Sequence, residues 1–284
     1  MAAQEGPGGH LWLLARSPTA AALWEIASTG PVEHWTLPPA DQDATLQTVG
    51  SGHVWFGLGA GELALDRVAG TFSSYVAGST VAVSSVDGFS VALDIPASPT
   101  GTPAAAPDLS VAPLGGSQAQ DVTLPQAPVP EHLAGAVLAG QGGQAIVVAA
   151  HHVWTLALPA LRATNWGPLP SAAWNAPAAW GNGRLWVVVN VAGTPSGIDS
   201  LSSGGAAQPL SAAEAHPPRL DSPLIFAAGR LWWAADTHIV SYDPATAKTT
   251  LYAYPQASRP VGVAIAPAPG GVWLGADAWW ALVS

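Results

Sequence analysis

The sequence predicts an all-β fold in which one small antiparallel sheet is repeated seven times, and three observations predict it. The first is a five-residue word with tryptophan in fourth place: Gly9-His10-Leu11-Trp12-Leu13, Gly52-His53-Val54-Trp55-Phe56, Gly183-Arg184-Leu185-Trp186-Val187, Gly229-Arg230-Leu231-Trp232-Trp233 and Gly270-Gly271-Val272-Trp273-Leu274. Two degenerate copies, Gly88-Phe89-Ser90-Val91-Ala92 and Gln144-Ala145-Ile146-Val147-Val148, fill the gaps. The anchors at 12, 55, 91, 147, 186, 232 and 273 are then separated by 43, 36, 56, 39, 46 and 41 residues. The second observation is punctuation. Among 284 residues, 31 Gly and 27 Pro leave no room for long helices, yet fall short of the ~25–30% of low-complexity disorder. The third is a core-rich, charge-poor composition, with 14 Trp, 49% hydrophobic and only 9% charged residues, against about 25% charged in an ordinary soluble protein. Four short strands per period of about 40–45 residues is the grammar of a propeller blade. The expectation is therefore a seven-bladed β-propeller of four-stranded antiparallel blades in one domain, 1–284, with six or eight blades as the neighbouring alternatives.

The repeats support this in order. The first begins almost at its anchor, with only Met1 to Gly8 ahead of it, so it is expected to be incomplete; Ala22 to Ile26 and Trp35-Thr36-Leu37-Pro38 supply its later strands. In the second, Glu62 to Asp66 is followed by a turn over Arg67 to Gly70. The third contains a stretch, 96–130, with eight prolines and only two charges, Asp108 and Asp121; it is expected to be a proline-rich insertion loop between strands. The fourth lies in an uncharged run from His132 to Leu161, where Ala134 to Ala139 and Ala145 to Ala150 flank Gln141-Gly142-Gly143-Gln144. That is two strands and a turn, because a membrane helix needs about 20 predominantly apolar residues. The fourth repeat closes on Trp166 to Pro170, as the third does on Val122 to Pro125 and the sixth on Tyr252 to Pro255. Proline belongs at such strand ends, since it has no amide for a ladder. In the sixth, Ser222 to Ala228 precedes the anchor, and His238 to Asp243 with the turn Asp243-Pro244-Ala245-Thr246 follows it. The seventh starts at Val261 to Ala266 and stops after Ala278 to Val283, one strand short.

Charge and cysteine exclude several classes of function. A net charge of -10 with one lysine, Lys248, leaves too few cations for phosphate neutralisation or for anionic lipid. With no cysteine there is no disulfide framework, thiolate metal site or thiol nucleophile. Met1 to Gly9 has neither a basic n-region nor an apolar h-region, so no signal peptide is expected in it. The scarcity of Lys and the abundance of Ala, Pro, Thr and Ser nevertheless suit an extracytoplasmic or secreted domain.

The anchors Trp12, Trp55, Trp186, Trp232 and Trp273 share one strand phase and are expected to pack blade on blade. Trp154, Trp166, Trp174, Trp180, Trp279 and Trp280 lie outside that phase. The first four are the candidates for binding a sugar or an apolar ligand at a channel mouth. None of the eight histidines forms a metal-binding pair within one element. His10 and His53 stand where Arg184 and Arg230 stand in other repeats, which marks a polar strand start. The catalytic candidates are His151, His152, Asp236 and His238: Asp236 lies two residues before His238, on the same face of an extended strand, where a carboxylate orients a general base. Solvated loop residues are the plainer reading of all four. No nucleophile elbow, phosphate loop or calcium loop occurs, so no cofactor is expected.

Gly271-Val272-Trp273-Leu274-Gly275, and the run from Gly229-Arg230-Leu231-Trp232 through Ile239-Val240-Ser241-Tyr242-Asp243-Pro244-Ala245-Thr246 to Tyr254-Pro255, resemble the repeats of bacterial seven-bladed propellers of the streptogramin (virginiamycin B) lyase and two-component-regulator sensor type. The lyase resemblance implies a magnesium-assisted elimination that opens a cyclic depsipeptide, with a histidine base and a Glu/His metal site near the channel. In that family the anchor continues as Trp-Phe-Thr-Glu; here Trp55-Phe56 continues as Gly57-Leu58, so no catalytic residue carries over. The sensor resemblance implies an extracellular recognition module. The sequence thus points to a non-catalytic module that binds a protein, small molecule or carbohydrate on one face. A metal-assisted lyase and a surface or assembly protein are the alternatives.

Overall fold

The structure, a computed structural model, describes all residues except 1, 6–9, 18, 28–29, 50–51, 59–60, 76–79, 87–88, 99, 114–118, 132–134, 141, 170–173, 192–193, 204–205, 220–221, 255–262, 269, 277–278 and 284. Its described residues form seven antiparallel sheets. The first contains β1 (Ala2–Glu5), β2 (Leu11–Arg16), β3 (Ala21–Ala27) and β4 (Gly30–Thr36). The second contains β5 (Thr45–Val49), β6 (His53–Leu58), β7 (Gly61–Asp66) and β8 (Thr71–Tyr75), and the third β9 (Thr80–Val86), β10 (Phe89–Asp94), β11 (Asp108–Pro113) and β12 (Gln120–Thr123). The fourth is β13 (Gly135–Ala139), β14 (Gln144–Ala149), β15 (His152–Ala157) and β16 (Arg162–Pro168). The fifth is β17 (Trp174–Gly181), β18 (Arg184–Val191), β19 (Thr194–Leu201) and β20 (Gln208–Pro209), followed by a one-turn helix α1 (Ser211–Ala215). The sixth is β21 (Ile225–Ala227), β22 (Arg230–Ala234), β23 (His238–Asp243) and β24 (Lys248–Ala253), and the seventh β25 (Ala264–Ala268), β26 (Gly271–Ala276) and β27 (Trp279–Val283). Every sheet is a meander in which sequence neighbours pair, and the architecture is a seven-bladed β-propeller. The blades fall into two compact units, Met1–Pro168 with blades one to four and Leu169–Ser284 with blades five to seven.

The second strand of a blade is apolar on both faces because both are covered. Leu11 to Leu14, Ala145 to Ala149, Leu185 to Val188 and Leu231 to Ala234 are all buried. In the first unit Trp12 and Leu14 pack on Val54, Phe56, Leu63 and Leu65 of the second blade, and Val91 and Leu93 pack on Ala145, Val147, Ala149 and Trp154 of the fourth. In the second unit Trp186 and Val188 meet Leu231, Trp233 and Val240, while Trp232 and Ala234 meet Ile265, Val272 and Leu274. The anchor therefore faces the following blade. Val147 breaks that rule: it packs toward the preceding blade. The third residue of β14, equivalent to Val91, Trp186 and Trp232 in their strands, is Ile146. A one-residue offset in a strand reverses the face, so the fourth anchor is Ile146.

Two other expectations need correction. The first blade is not short of a strand, since Ala2–Glu5 pairs antiparallel with β2, Gln4 opposite Trp12. The proline-rich stretch 96–130 is not one loop but contains β11 and β12. Leu109 and Val111 alternate inward and are buried, whereas the prolines fall in the connection before β11, at its last residue, or after β12. The seventh blade has three strands among the described residues, as the sequence predicts.

The anchor role carries a prediction. Trp232 is 1% exposed, stacks on Tyr252 at 5.6 Å and donates its indole N–H to the Ala227 carbonyl at 3.2 Å. Trp232→Ala is expected to cost about 3–5 kcal/mol in urea denaturation, the range for an emptied aromatic core site. Trp166→Ala, at a partly exposed site of β16, should cost clearly less.

Candidate functional site

The catalytic candidates all lie where the second strand of a blade turns into the third, in the fourth and sixth blades. Ala150 and His151 form the two-residue turn between β14 and β15, both with left-handed φ (47° and 57°). Such a turn requires φ > 0 at both centres and favours Asn-Gly, so Ala-His is a costly choice there. His152 opens β15, donates Nδ1–H to the Ala150 carbonyl at 2.9 Å and stacks on Trp154. In the sixth blade Asp236 sits in the turn ahead of β23, not on the strand, and the His238 Nδ1 lies 2.7 Å from the Thr237 hydroxyl. The anticipated shared strand face of Asp236 and His238 is therefore not formed. His151 and His152 belong to the first unit, Asp236 and His238 to the second.

The aromatic candidates separate in the same way. Trp154 is buried, not at a channel mouth. Its position on β15 points into the cluster with the third blade, where its indole donates to the Pro125 carbonyl at 3.0 Å. Trp166 on β16 and Trp180 on β17 are partly buried. Trp174 lies on β17 opposite Val189, and Trp279 and Trp280 lie on β27; the side chains of all three are outside the described residues. Of the anchors, Trp12, Trp186 and Trp232 are buried, and Trp55 and Trp273 are partly buried.

The polar groups that do converge were not singled out by the sequence. Glu25 on β3 lies opposite the anchor Trp12 and is 4% exposed. Its Oε1 accepts from His10 Nδ1 at 2.7 Å and from Arg67 Nη2 at 3.1 Å. A carboxylate only accepts, so the His10 hydrogen is on Nδ1. The Arg67 guanidinium, from the β7–β8 turn of the second blade, also lies 4.6 Å over the Trp12 ring, which itself stacks on Trp35 at 5.4 Å. Ser200 and Ser241 occupy the equivalent position opposite Trp186 and Trp232, and each accepts from the arginine that opens the second strand of its blade, Arg184 at 3.2 Å and Arg230 at 3.3 Å. A donor two residues before the anchor thus faces an acceptor across the hairpin. In the first blade the acceptor is a carboxylate, and a second donor, the Arg67 guanidinium, reaches it from the next blade.

A second polar group lies in the third blade. Asp94 is directly opposite Asp108, and Asp121 lies on the neighbouring strand β12. Burial pushes the Asp94 carboxyl above its ordinary range; a 2.5 Å hydrogen bond from Thr80 opposes this, and repulsion by Asp108 and Asp121 adds to it. Burial and the Asp121 charge likewise raise Asp108. Among the described residues no three His, Asp or Glu side chains are placed to hold a metal ion. No described helix is long and apolar enough to cross a membrane.

The connection between β10 and β11 is the other distinctive feature. In the other blades the turn from second to third strand takes two to four residues, whereas here it spans 95–107. The segment is ordered by its own backbone: Ala97 bridges Pro103, Ser98 N–H donates to the Thr102 carbonyl at 2.7 Å, and Ala104 N–H donates to the Pro96 carbonyl at 2.7 Å. The exposed hydroxyls of Ser98, Thr100 and Thr102 cluster within 3.3 Å of one another at its tip.

Two stability tests follow from these groups. Arg67→Ala strips one cation from buried Glu25 and uncovers Trp12. A loss of about 2 kcal/mol is expected by denaturation, below the ~3–5 of a fully buried pair because Arg67 is partly exposed. For Asp94 the sign is opposite. The folded state holds its proton above the ordinary 3.8, so stability is greatest below that value and falls as pH rises through the raised value. Asp94→Asn, which keeps an acceptor for Thr80, is expected to raise the melting temperature at pH 7 and to lose that advantage in acid below 3.8.

No protein-family model matches the chain, and no curated protein matches it. Among solved structures, a chain from the crystal structure of a nidogen/laminin complex is similar to it, with a TM-score of 0.50 and 13% identity, covering 94% of this chain and 85% of that one. At that identity the likeness shows the fold alone: a β-propeller.

Proposed function

We propose that this propeller is a non-catalytic recognition module that binds a protein partner at the end of its blades where second strands turn into third. The observation that carries the reading is the ordered connection 95–107, a preformed finger on a rigid blade at that end. Binding residues are disproportionately found on loops held by such scaffolds. A segment already folded on itself also loses little freedom on binding. Its chemistry, Ala, Pro, Ser and Thr without charge, suits a protein surface recognised by shape and neutral hydrogen bonds. The similar solved chain comes from a complex of two proteins, which agrees with a protein partner. Two of the histidines at turns from second to third strand bond locally, His152 to Ala150 and His238 to Thr237. That local engagement favours display over proton transfer.

The test compares the intact chain with a variant in which 97–103 is replaced by Asn-Gly. Both are immobilised, proteins retained by the first alone are identified, and their affinities are measured by calorimetry. Saturable binding that weakens by about tenfold or more, equivalent to ~1.4 kcal/mol, with the melting temperature held, supports the reading. Equal binding by both chains, or magnesium-dependent turnover of a cyclic depsipeptide that His151→Ala or His238→Ala abolishes, overturns it.

A further inference from the structure

Between Arg67 and His132 the chain carries Asp87, Asp94, Asp108, Asp121 and Glu131 but not one Lys, Arg or His. The third blade therefore has carboxylates and no cation of its own. Two of those carboxylates stand where the finger 95–107 leaves the blade: Asp94 ends β10, Asp108 opens β11, and they lie directly opposite each other. The finger itself has no charge, and its hydroxyls gather at the tip. Ser98 Oγ is 2.7 Å from Thr100 Oγ1 and 2.8 Å from Thr102 Oγ1, and the two threonine oxygens are 3.3 Å apart. A hydroxyl has one proton and two lone pairs. Closed into a ring, the three hydroxyls give their protons to one another and keep one lone pair each, so the triangle presents acceptors to a partner. Thr100 and Thr102 are exposed, and so are Ala104 and Ala105 farther along the finger.

We infer that the partner meets this finger through a lysine, its ammonium seated on the hydroxyl oxygens of Ser98, Thr100 and Thr102. The inference rests on the recognition role proposed for 95–107 and names the chemistry that this role reads. Three properties select lysine. An ammonium has three donors and no acceptor, which matches three oxygens turned outward as acceptors. A carboxylate or phosphate would set acceptor against acceptor and be repelled by Asp94 and Asp108. The lysine stem is apolar and lies along surface of the kind Ala104 and Ala105 present, while its head stays with polar groups. Arginine has the same charge but a planar fork suited to paired acceptors such as a carboxylate, not to three oxygens in a triangle. Charge also acts before contact: a chain of net charge -10, with a third blade that holds carboxylates alone, steers a basic segment toward the finger.

Titration of the intact chain with amidated trilysine, triarginine and triglutamate peptides at low ionic strength, followed by NMR, tests it. Trilysine is expected to bind saturably and to shift the amides of Ser98, Thr100, Gly101 and Thr102. Triarginine should bind about threefold or more weaker, because its fork does not match the triangle, and triglutamate should not bind. The combined variant Ser98→Ala, Thr100→Val and Thr102→Val keeps the net charge and removes the oxygens. It is expected to raise the trilysine dissociation constant by about tenfold or more, the loss of a hydrogen bond to a charged group. Asp243→Asn, which removes a carboxylate from the sixth blade, should leave that constant unchanged. If the combined variant lowers the melting temperature, Thr100→Val alone, at the exposed tip, takes its place. Absence of trilysine binding overturns the inference. So does triarginine binding as tightly as trilysine, or a folded hydroxyl variant that binds trilysine as before, since both are attraction by charge alone. The recognition role fails separately: a protein partner lost when 97–103 is replaced but held by the hydroxyl variant keeps the finger and removes the lysine.

Discussion

Everything in this fold depends on the second strand of each blade being buried on both faces. A strand with water on one side alternates apolar and polar residues, but Leu231 to Ala234 do not alternate, because the fifth blade covers one face and the seventh the other. One blade alone would expose two apolar surfaces, so the unit of stability is the blade with its neighbours. The same constraint explains the charge deficit: with so much strand surface inside, few positions within inner strands, Glu25 and Asp199 among them, carry a charge. It also explains why phase matters more than identity, since Val91 and Ile146 fill anchor positions that are tryptophan elsewhere.

Three of the buried polar residues, Glu25, Ser200 and Ser241, share one position, opposite the anchor. In the fifth and sixth blades a serine there accepts from an arginine of the same hairpin, a bond local to one blade. In the first blade the acceptor is Glu25, and Arg67 of the second blade completes it while covering Trp12. A buried carboxylate left with one half-exposed histidine would cost more than it returns. The Arg67 guanidinium is therefore what makes the carboxylate tolerable, and it converts an intrablade hydrogen bond into a link between blades. Among the described residues the carboxylates of the third blade have no such cation: burial makes Asp94 and Asp108 hold their protons more tightly, and the charge of neighbouring carboxylates adds to it.

The period, the blade count and the strand bearing each anchor were legible because a 40-residue repeat samples the same environment seven times. Single-copy features were not. Ala2–Glu5 has no apolar alternation to mark it as a strand and is held only by its ladder to β2. The alternation Asp108-Leu109-Ser110-Val111 was present but masked by surrounding prolines, which proved to lie outside the ladder or at its end. Trp154 drew attention for being out of phase with the anchors, yet a third strand also has an inward face, and Trp154 is on it. Glu25 and Arg67 are 42 residues apart, one repeat. Pairs of opposite charge at the repeat spacing are thus the signal for contacts between blades, and reading within one element could not find them.

A repeat that must satisfy two neighbours tolerates departures only where a neighbour is not required. The connection 95–107 departs at a turn, where extra residues disturb no blade contact and can fold on themselves. The second strands have no such freedom: Leu231 to Ala234 meet the fifth blade on one face and the seventh on the other, so a polar side chain there disturbs two interfaces at once.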